Sequence, residues 1–408
     1  MIDTPEIAIT TRSLAAVEAI HRFGAELLSH GCHASVIFEA LAHDPDCALA
    51  QAYAGALFLT QMSRDGQAQA APRLAAAEAL ARFATVRERQ IIAAIGQWAA
   101  GDDAAATRLL HDVVREYPHD LISAKLCQIL QLGVGDIPGM VRTASIAAMA
   151  EPEGGFASGL LAYALDQAGE TDRAEQLAYR ALDRNPLNDP WAQHALAHVH
   201  AAREDWIQGR SFLRAHAASW SRCSSFMLTH NWWHAALFAL ELNEPSDALR
   251  FFDDRVWGVR KQHCQDQINA ISLLARLEMH GVDVGERWDD IVEHIKQRIA
   301  DRISAFLDLH YLYALARAGR DESANALRDE LQARSAHDHS PVGALASGLV
   351  AHARGQWREA ALAIGQVRRS LLSLGGSQIQ RDLFEQLFRN SLTRSRAFQT
   401  AVKVRAYA

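Results

Sequence analysis

Apolar residues recur along this chain with the three- and four-residue spacing of amphipathic helices. Two clear examples are L-A-A-V-E-A-I-H-R-F, which begins at Leu14, and I-S-L-L-A-R-L-E-M-H, which begins at Ile271. Short polar turns separate such stretches, and no stretch shows the two-residue alternation of a strand. The pattern therefore predicts an all-α protein built from many short helices.

The helical pattern is also periodic. Two kinds of residue recur at intervals of 34, one in a turn between two helical runs and one at the end of the second run. They are Gly101, Gly135 and Gly169, and Pro118, Pro152 and Pro186. A period of 34 with two helices per unit is typical of the tetratricopeptide repeat. We therefore expect a right-handed α-solenoid, with small residues such as Ala174 where the two helices of a unit cross.

The same pattern suggests how the chain is divided. We expect one solenoid over residues 1–408 that opens with N-terminal helices over 1–86. Tetratricopeptide-like units follow over 87–374 and are clearest over 87–262. The glycine pair at 375 and 376 then introduces capping helices over 375–408.

Charge and composition exclude several classes of protein. The net charge is −7, without the basic surface that nucleic acid requires. No apolar stretch is long enough to cross a membrane, and the first residues do not resemble a signal peptide. The five cysteines are scattered, which predicts a reduced, cytoplasmic protein with no disulfides and no thiolate metal site. Self-association is left open.

Two histidine pairs form the first candidate site. His194 and His198 are four residues apart, as are His230 and His234, so each pair shares one helix face. The first helix of a tetratricopeptide unit lines the groove mainly through positions 2, 5, 9, 12 and 13. Counted from residue 190, the first pair occupies positions 5 and 9. Counted from residue 229, His230 occupies position 2, Trp233 occupies position 5, and His234 borders the groove.

Further residues could join this site from other helices. Asp266, Asp308 and His310 could lean toward the same cavity and contribute to catalysis. Asn231 and Trp233 could contact a ligand. A last group follows the glycine pair, where a tail folding back over the groove could bring Arg381 to an anionic group; its members are Ser377, Gln378, Arg381 and Asp382. The alternative role for this group is to cap a terminal helix.

Three chemistries remain open for the histidines. They could bind a divalent metal, with His194, His198 and His230 as the first ligands. They could perform acid–base chemistry, because histidine titrates near neutral pH. They could instead be hydrogen-bonded residues that fix helix packing. A zincin-type peptidase is not expected, because neither pair has the H-E-x-x-H pattern.

Several longer motifs resemble the tetratricopeptide repeat protein 38 family. They are W-A-Q-H-A-L-A-H-V, H-N-W-W-H-A-A-L-F-A-L-E, D-Q-I-N-A-I-S-L-L-A-R-L-E, F-L-D-L-H and G-G-S-Q-I-Q-R-D. The likeness covers roughly residues 40–400. It implies a helical-repeat fold and marks the same histidine positions, but it implies no particular reaction. After His198 this chain reads V-H-A-A-R, where relatives tend to carry an acidic residue.

Two functions are consistent with these observations. The first is a pocket of histidine, tryptophan and aspartate that binds a small polar ligand and acts on it by acid–base or metal-assisted chemistry, for example as a hydrolase. The second is a scaffold that holds the end of a partner peptide in its groove. Peptide-binding repeats usually present lysine, arginine and asparagine there, so the histidine and tryptophan content favours the pocket.

Overall fold

The computed structural model describes residues 7–185, 189–336 and 340–406, with only the backbone given over 397–406. These residues contain 21 α-helices and no β-strand, which confirms the predicted all-α class. Consecutive helices pack on one another, and alternate helices such as α7 and α9 also touch, as in an α-solenoid. In this described part of the chain, no helix is both long enough and apolar enough to cross a membrane.

The chain forms two compact units, Met1–Phe238 and Ala239–Ala408, and the boundary falls within helix α13. The predicted internal divisions at residues 86 and 374 remain predictions. The first unit contains α1 (Leu14–Leu28), α2 (Ile37–His43), α3 (Ala48–Leu59), α4 (Arg64–Leu80), α5 (Val86–Ala99), α6 (Asp103–Glu116), α7 (Leu121–Val134), α8 (Ile137–Ala150), α9 (Gly155–Gln167), α10 (Thr171–Arg184), α11 (Pro190–Ala202), α12 (Trp206–His216) and most of α13 (Ser225–Glu241).

The repeat glycines act as the sequence predicts. Gly101, Gly135 and Gly169 have φ angles of 82°, 72° and 80°, which is the left-handed region that favours glycine. Each lies between the two helices of one unit, so the left-handed residue ends one helix and lets the chain reverse. Pro118 and Pro152 follow α6 and α8, while Pro186 lies outside the described residues.

Alanine sets the close spacing of the helices. Ala174, Ala178 and Ala181 are completely buried on one face of α10, which packs against α9. Three small side chains on one face let the two backbones approach, so the packing depends on the absence of larger groups there. Ala174 is therefore buried, and its position at a helix crossing remains a prediction.

The N-terminal helix closes the first unit on itself. Helix α1 packs against α7, six helices further along the chain. The loop after α1 also meets the segment before α13, where Gly31 and Cys223 form an isolated antiparallel bridge. The amide of Ser224 donates to the carbonyl of His30 at 2.7 Å, and the amide of Cys32 donates to the carbonyl of Arg222 at 3.2 Å.

The second unit continues the helix pairs. Its last helix, α21, packs against α20 and α15, so a C-terminal helix covers the end of this unit as expected. The unit contains α14 (Pro245–Phe251), a π-helical turn (Phe252–Val256), α15 (Cys264–Met279), α16 (Arg287–Ile295), α17 (Ala305–Arg317), α18 (Asp321–Ser335), α19 (Val342–Ala353), α20 (Trp357–Val367) and α21 (Gln378–Ala406).

Candidate functional site

The four histidines of the two pairs meet inside the first unit. His194 and His198 lie one turn apart on α11, and His230 and His234 lie one turn apart on α13. Helix α11 begins at Pro190, a favoured first residue, and the carboxylate of Asp189 caps it by accepting from the amide of Ala192 at 2.8 Å. All four histidine side chains are at most 2% exposed.

The imidazole rings converge through their nitrogens. The Nε2 atom of His194 lies 3.1 Å from Nε2 of His198 and 3.0 Å from Nε2 of His230. The ring of His234 has its centre 5.0 Å from that of His194 and 4.9 Å from those of His198 and His230. One nitrogen from each ring can be chosen so that all four lie within 4.8 Å of one another.

Asp166, in the preceding tetratricopeptide-like repeat, orients one of these rings. Its Oδ2 atom lies 3.0 Å from Nδ1 of His198, and both side chains are buried. Gln167 supports the same carboxylate by donating from Nε2 to Oδ2 at 2.8 Å. A carboxylate beside Nδ1 holds the proton there, which leaves the lone pair of His198 on Nε2 and pointing toward His194.

Burial keeps the central ring neutral. Loss of contact with water, followed by the neighbouring His198 and His230, lowers the pKa of His194 well below its ordinary value. A neutral imidazole retains the lone pair that a metal ion needs, so His194 is ready to bind a cation without first releasing a proton.

Hydrogen bonding alone does not satisfy this trio. A neutral imidazole has one N–H and one in-plane lone pair. If Nε2 of His198 carries the lone pair, Nε2 of His194 must supply the N–H between them, and it then has no lone pair for His230. A cation between the nitrogens would accept all three lone pairs. A tetrahedral ion roughly 2.0–2.1 Å from each ligand holds its ligands about 3.3 Å apart, a few tenths of an ångström from the observed spacing.

Aromatic rings surround the cluster. Trp233 stacks on His230 with 5.1 Å between ring centres, and Trp191 lies 4.8 Å from His194. Tyr163 contacts the rings of His194 and His198 at 5.2 Å and 5.5 Å. Asn231, a predicted ligand contact, donates from Nδ2 to the sulfur of Met227 at 3.4 Å. Trp233 therefore lies beside the cluster, and ligand contacts by Trp233 and Asn231 remain a prediction.

Three predicted residues, Asp266, Asp308 and His310, belong to the second unit. Asp266 is buried in the first turn of α15, with its Oδ1 atom 3.4 Å from Nδ1 of His263. Burial raises the pKa of Asp308 to about 6. His310 donates from Nδ1 to the carbonyl of Phe306 at 2.7 Å, and burial lowers the pKa of its ring to about 4. Their contribution to the histidine site remains a prediction.

The residues after the glycine pair cap the last helix. The hydroxyl of Ser377 accepts from the amide of Gln380 at 3.2 Å, and the side chain of Gln380 accepts from the amide of Ser377 at 2.9 Å. This reciprocal pair is a capping box. Arg381 donates to the carbonyl of Gly376, and Asp382 accepts from Gln386 at 2.6 Å. Ligand contacts by Gln378 and its neighbours, including Arg381, remain a prediction.

Several residues around the cluster were not among the predicted site residues. Counted from residue 155, Tyr163, Asp166 and Gln167 occupy positions 9, 12 and 13, and counted from residue 121, Lys125 occupies position 5. These are all groove-lining positions of a tetratricopeptide unit. The same register continues through the two preceding repeats, so their groove-lining positions predict these side chains as well.

Comparison with known proteins gives likenesses of fold at low identity. No protein-family model matches the chain. A tetratricopeptide repeat protein from Parabacteroides merdae is 16% identical, with 75% of this chain and 98% of that chain covered and a TM-score of 0.30. Human IFIT1, in a dimer with PPP-AAAA, is 13% identical over 97% and 88%, with a TM-score of 0.45. The tetratricopeptide domain of P58(IPK) is 15% identical over 78% and 93%, with a TM-score of 0.25.

Proposed function

We propose that this helical-repeat protein binds a divalent transition-metal ion through His194, His198, His230 and His234. The observation that carries the proposal is the convergence of three buried Nε2 atoms, with separations of 3.0 Å and 3.1 Å around His194. Close, dry imidazole nitrogens are costly unless something satisfies their lone pairs, and a cation does so for all of them at once.

The chemistry of the ligands narrows the choice of metal. Four imidazoles with no thiolate among them suit Zn²⁺, Fe²⁺, Ni²⁺ or Cu²⁺ and do not suit Mg²⁺ or Ca²⁺, which prefer oxygen. Asp166 supplies the support that metal-bound histidines usually have, because it accepts a hydrogen bond from the Nδ1–H of His198 and orients the ring. Where His194, His198 and His230 hold the ion and His234 stays outside its coordination sphere, the fourth position would be open to a small polar ligand, and metal-assisted hydrolysis is the reaction class that this arrangement favours.

The pair of Asp166 and His198 supports a second candidate, which is acid–base catalysis without a metal. A buried carboxylate 3.0 Å from Nδ1 orients the imidazole and stabilises its cation. His198 would then exchange a proton through Nε2 with a ligand in the cluster. The position of His194, 3.1 Å from that same Nε2, leaves little room for such a ligand, so we favour the metal.

We further propose that the chain belongs to the tetratricopeptide repeat protein 38 family. Its two most specific motifs, W-A-Q-H-A-L-A-H-V and H-N-W-W-H, contain all four clustered histidines. The lack of an acidic residue just after His198 is offset here by Asp166 from α9. A reducing, cytoplasmic location agrees with the five cysteines, none of which is in a disulfide. A peptide end held in the groove remains the alternative partner.

The test is the metal content of the purified protein and of a double variant. Protein stripped with a chelator and reloaded with Zn²⁺ or Co²⁺ should retain about one ion per chain, and the Co²⁺ form should show tetrahedral absorption bands. The double variant His198→Gln, His230→Gln keeps much of the side-chain volume and removes two ligands, so it should remain folded and lose the ion.

His200→Gln is the matched control. His200 is buried on the same helix, but its ring contacts Phe212 and stands outside the cluster. This variant should keep the ion. Either of two results would overturn the proposal: the parent retains no metal after reloading, or the double variant retains as much as the control.

A further inference from the structure

Lys125 is buried beside the histidine cluster with its charge unanswered. It lies on α7 and is 1% exposed. Its Nζ atom lies 3.5 Å from the centre of the Trp191 ring, which is a cation–π contact. Within the described parts of the chain, no hydrogen bond or ion pair closer than 4.0 Å reaches this ammonium group. A buried ammonium that is neither hydrogen-bonded nor paired is strongly unfavourable.

The nearest opposite charge does not neutralise it. Asp189 is also buried, but its carboxylate is committed to capping α11. Burial lowers the pKa of Lys125 to about 7 despite the attraction of Asp189, and burial raises the pKa of Asp189 to about 7. Both pKa shifts have loss of hydration as their largest cause, and the mutual attraction of the two groups offsets it only in part.

Other polar atoms around the same indole ring also lack hydrogen-bond partners in the described structure. The indole N–H of Trp191, which can only donate, is buried without a partner in the described structure. The Nδ1 atom of His194 is buried and unpartnered as well, and its ring lies 4.8 Å from that of Trp191. His30 stacks on the same indole with 4.8 Å between ring centres. Its Nε2 atom is also buried without a hydrogen-bond partner in the described structure.

We propose that Lys125, Trp191 and His194 form the binding site of a small anion, either a small carboxylate or an inorganic ion of similar size. A negatively charged group with several acceptor atoms would accept hydrogen bonds from Lys125, Trp191 and His194 together. Lys125, Trp191, His194 and Tyr163 are each at most 7% exposed, so a ligand in contact with them would be enclosed. We therefore expect an anion of a few atoms and not a peptide or a nucleotide.

The small polar ligand of the proposed function would then be negatively charged and only a few atoms in size. The role of His194 rests on the proposed function, because a metal on Nε2 places the proton on Nδ1 and makes that atom a donor. The contribution of Lys125 does not depend on the metal. An anion beside a bound cation is also favourable electrostatically, so the two sites should strengthen each other.

The first experiment leaves the sequence unchanged. Crystals of the full chain are soaked in sodium bromide and, separately, in sodium formate. Anomalous scattering locates bromide, and difference density locates formate. We expect one of the two probes within hydrogen-bonding distance of Lys125 Nζ; formate alone indicates a carboxylate, and bromide indicates an inorganic anion. A water molecule at that position with both probes would overturn the proposal.

The second experiment measures affinity in solution. Formate or bromide, whichever binds, is titrated into the parent protein, Lys125→Met and Lys296→Met by calorimetry. Lys296 is the matched control, because its ammonium is half exposed and pairs with Glu293 one turn away. Removal of the buried charge should weaken binding about tenfold or more, the usual effect of a lost charged hydrogen bond. Equal affinity in all three proteins would overturn the proposal.

The two proposals can fail separately. Metal content is measured on the same samples, and the titration is repeated after the metal has been stripped. Anion binding that persists in metal-free protein and is lost in Lys125→Met supports the anion site whatever the metal result. Retained metal in a parent protein that binds neither probe rejects the anion site and leaves the proposed function in place.

Discussion

His310 should make the stability of the second unit fall as the solution becomes acidic. Burial lowers the pKa of its ring from an ordinary value near 6.5 to about 4. The folded state therefore binds the proton only near pH 4, while the unfolded state already binds it near pH 6.5. Stability contributed by the neutral ring is full above pH 6.5 and is lost progressively as the pH falls to 4. Below pH 4 both states are protonated and the loss stops.

The size of the expected loss in stability follows from the lowered pKa of His310. A difference of about 2.5 pKa units at roughly 1.36 kcal/mol per unit corresponds to about 3 kcal/mol in the free energy of unfolding. The ring packs between Phe306 and Phe384 and is 2% exposed, so bulk water does not solvate a positive charge there. Its hydrogen bond to the Phe306 carbonyl favours the cation and offsets part of this effect. The nearby Arg276 adds a smaller repulsion.

The assay is urea unfolding of the parent protein and of His310→Gln at several pH values between 4 and 7.5, followed by tryptophan fluorescence. The variant loses ring packing and should be less stable at pH 7.5. Because glutamine does not titrate, this deficit should shrink by about 3 kcal/mol at pH 4. His280→Gln, an exposed position at the end of α15, controls for the loss of one histidine. A deficit that is the same at every pH would refute the reasoning.

Two further predictions concern helix packing. Ala174→Leu should lower the free energy of unfolding by about 1–3 kcal/mol, because the methyl group is completely buried on a helix that packs closely against α9; a thermal melt identical to that of the parent would contradict this. Gly209→Ala should also lower the melting temperature, because its new methyl group would lie 2.4 Å from the ring of Phe238. Gly96→Ala is its control: nothing lies within 4 Å, and alanine should stabilise helix α5 by roughly 0.5–1 kcal/mol. Equal melting temperatures for these two variants would contradict the packing argument.

Repeat spacing was sufficient to predict the fold because each tetratricopeptide-like unit carries its own signals. The left-handed glycines, the prolines after the second helices and the alanines at the crossings each act within a few residues of their position. Such local rules can be read from a single sequence. For the same reason, the groove-facing positions of α11 and α13 could be assigned, and the four histidines do come together.

Contacts between distant parts of the chain could not be obtained in this way. Asp166 contacts His198 from the neighbouring tetratricopeptide-like repeat, and Lys125 contacts Trp191 from two repeats away. Periodicity shows that such positions face the groove, but not which side chains touch, because this depends on how tightly the units curve. His30 illustrates the limit, since it lies outside the repeats and no pattern in them connects it with Trp191.

The bridge between Gly31 and Cys223 changes how the first unit should fold. In an open repeat array each unit interacts only with its neighbours, so the array can fray from either end and its stability is nearly a sum over units. Here a loop near the N-terminus is hydrogen-bonded to a segment almost two hundred residues later in the chain. Closing so long a loop costs entropy that local contacts do not recover, so this step should come late and should slow folding. Once the loop is closed, the end helix can no longer fray independently, and the first unit should unfold as one cooperative body.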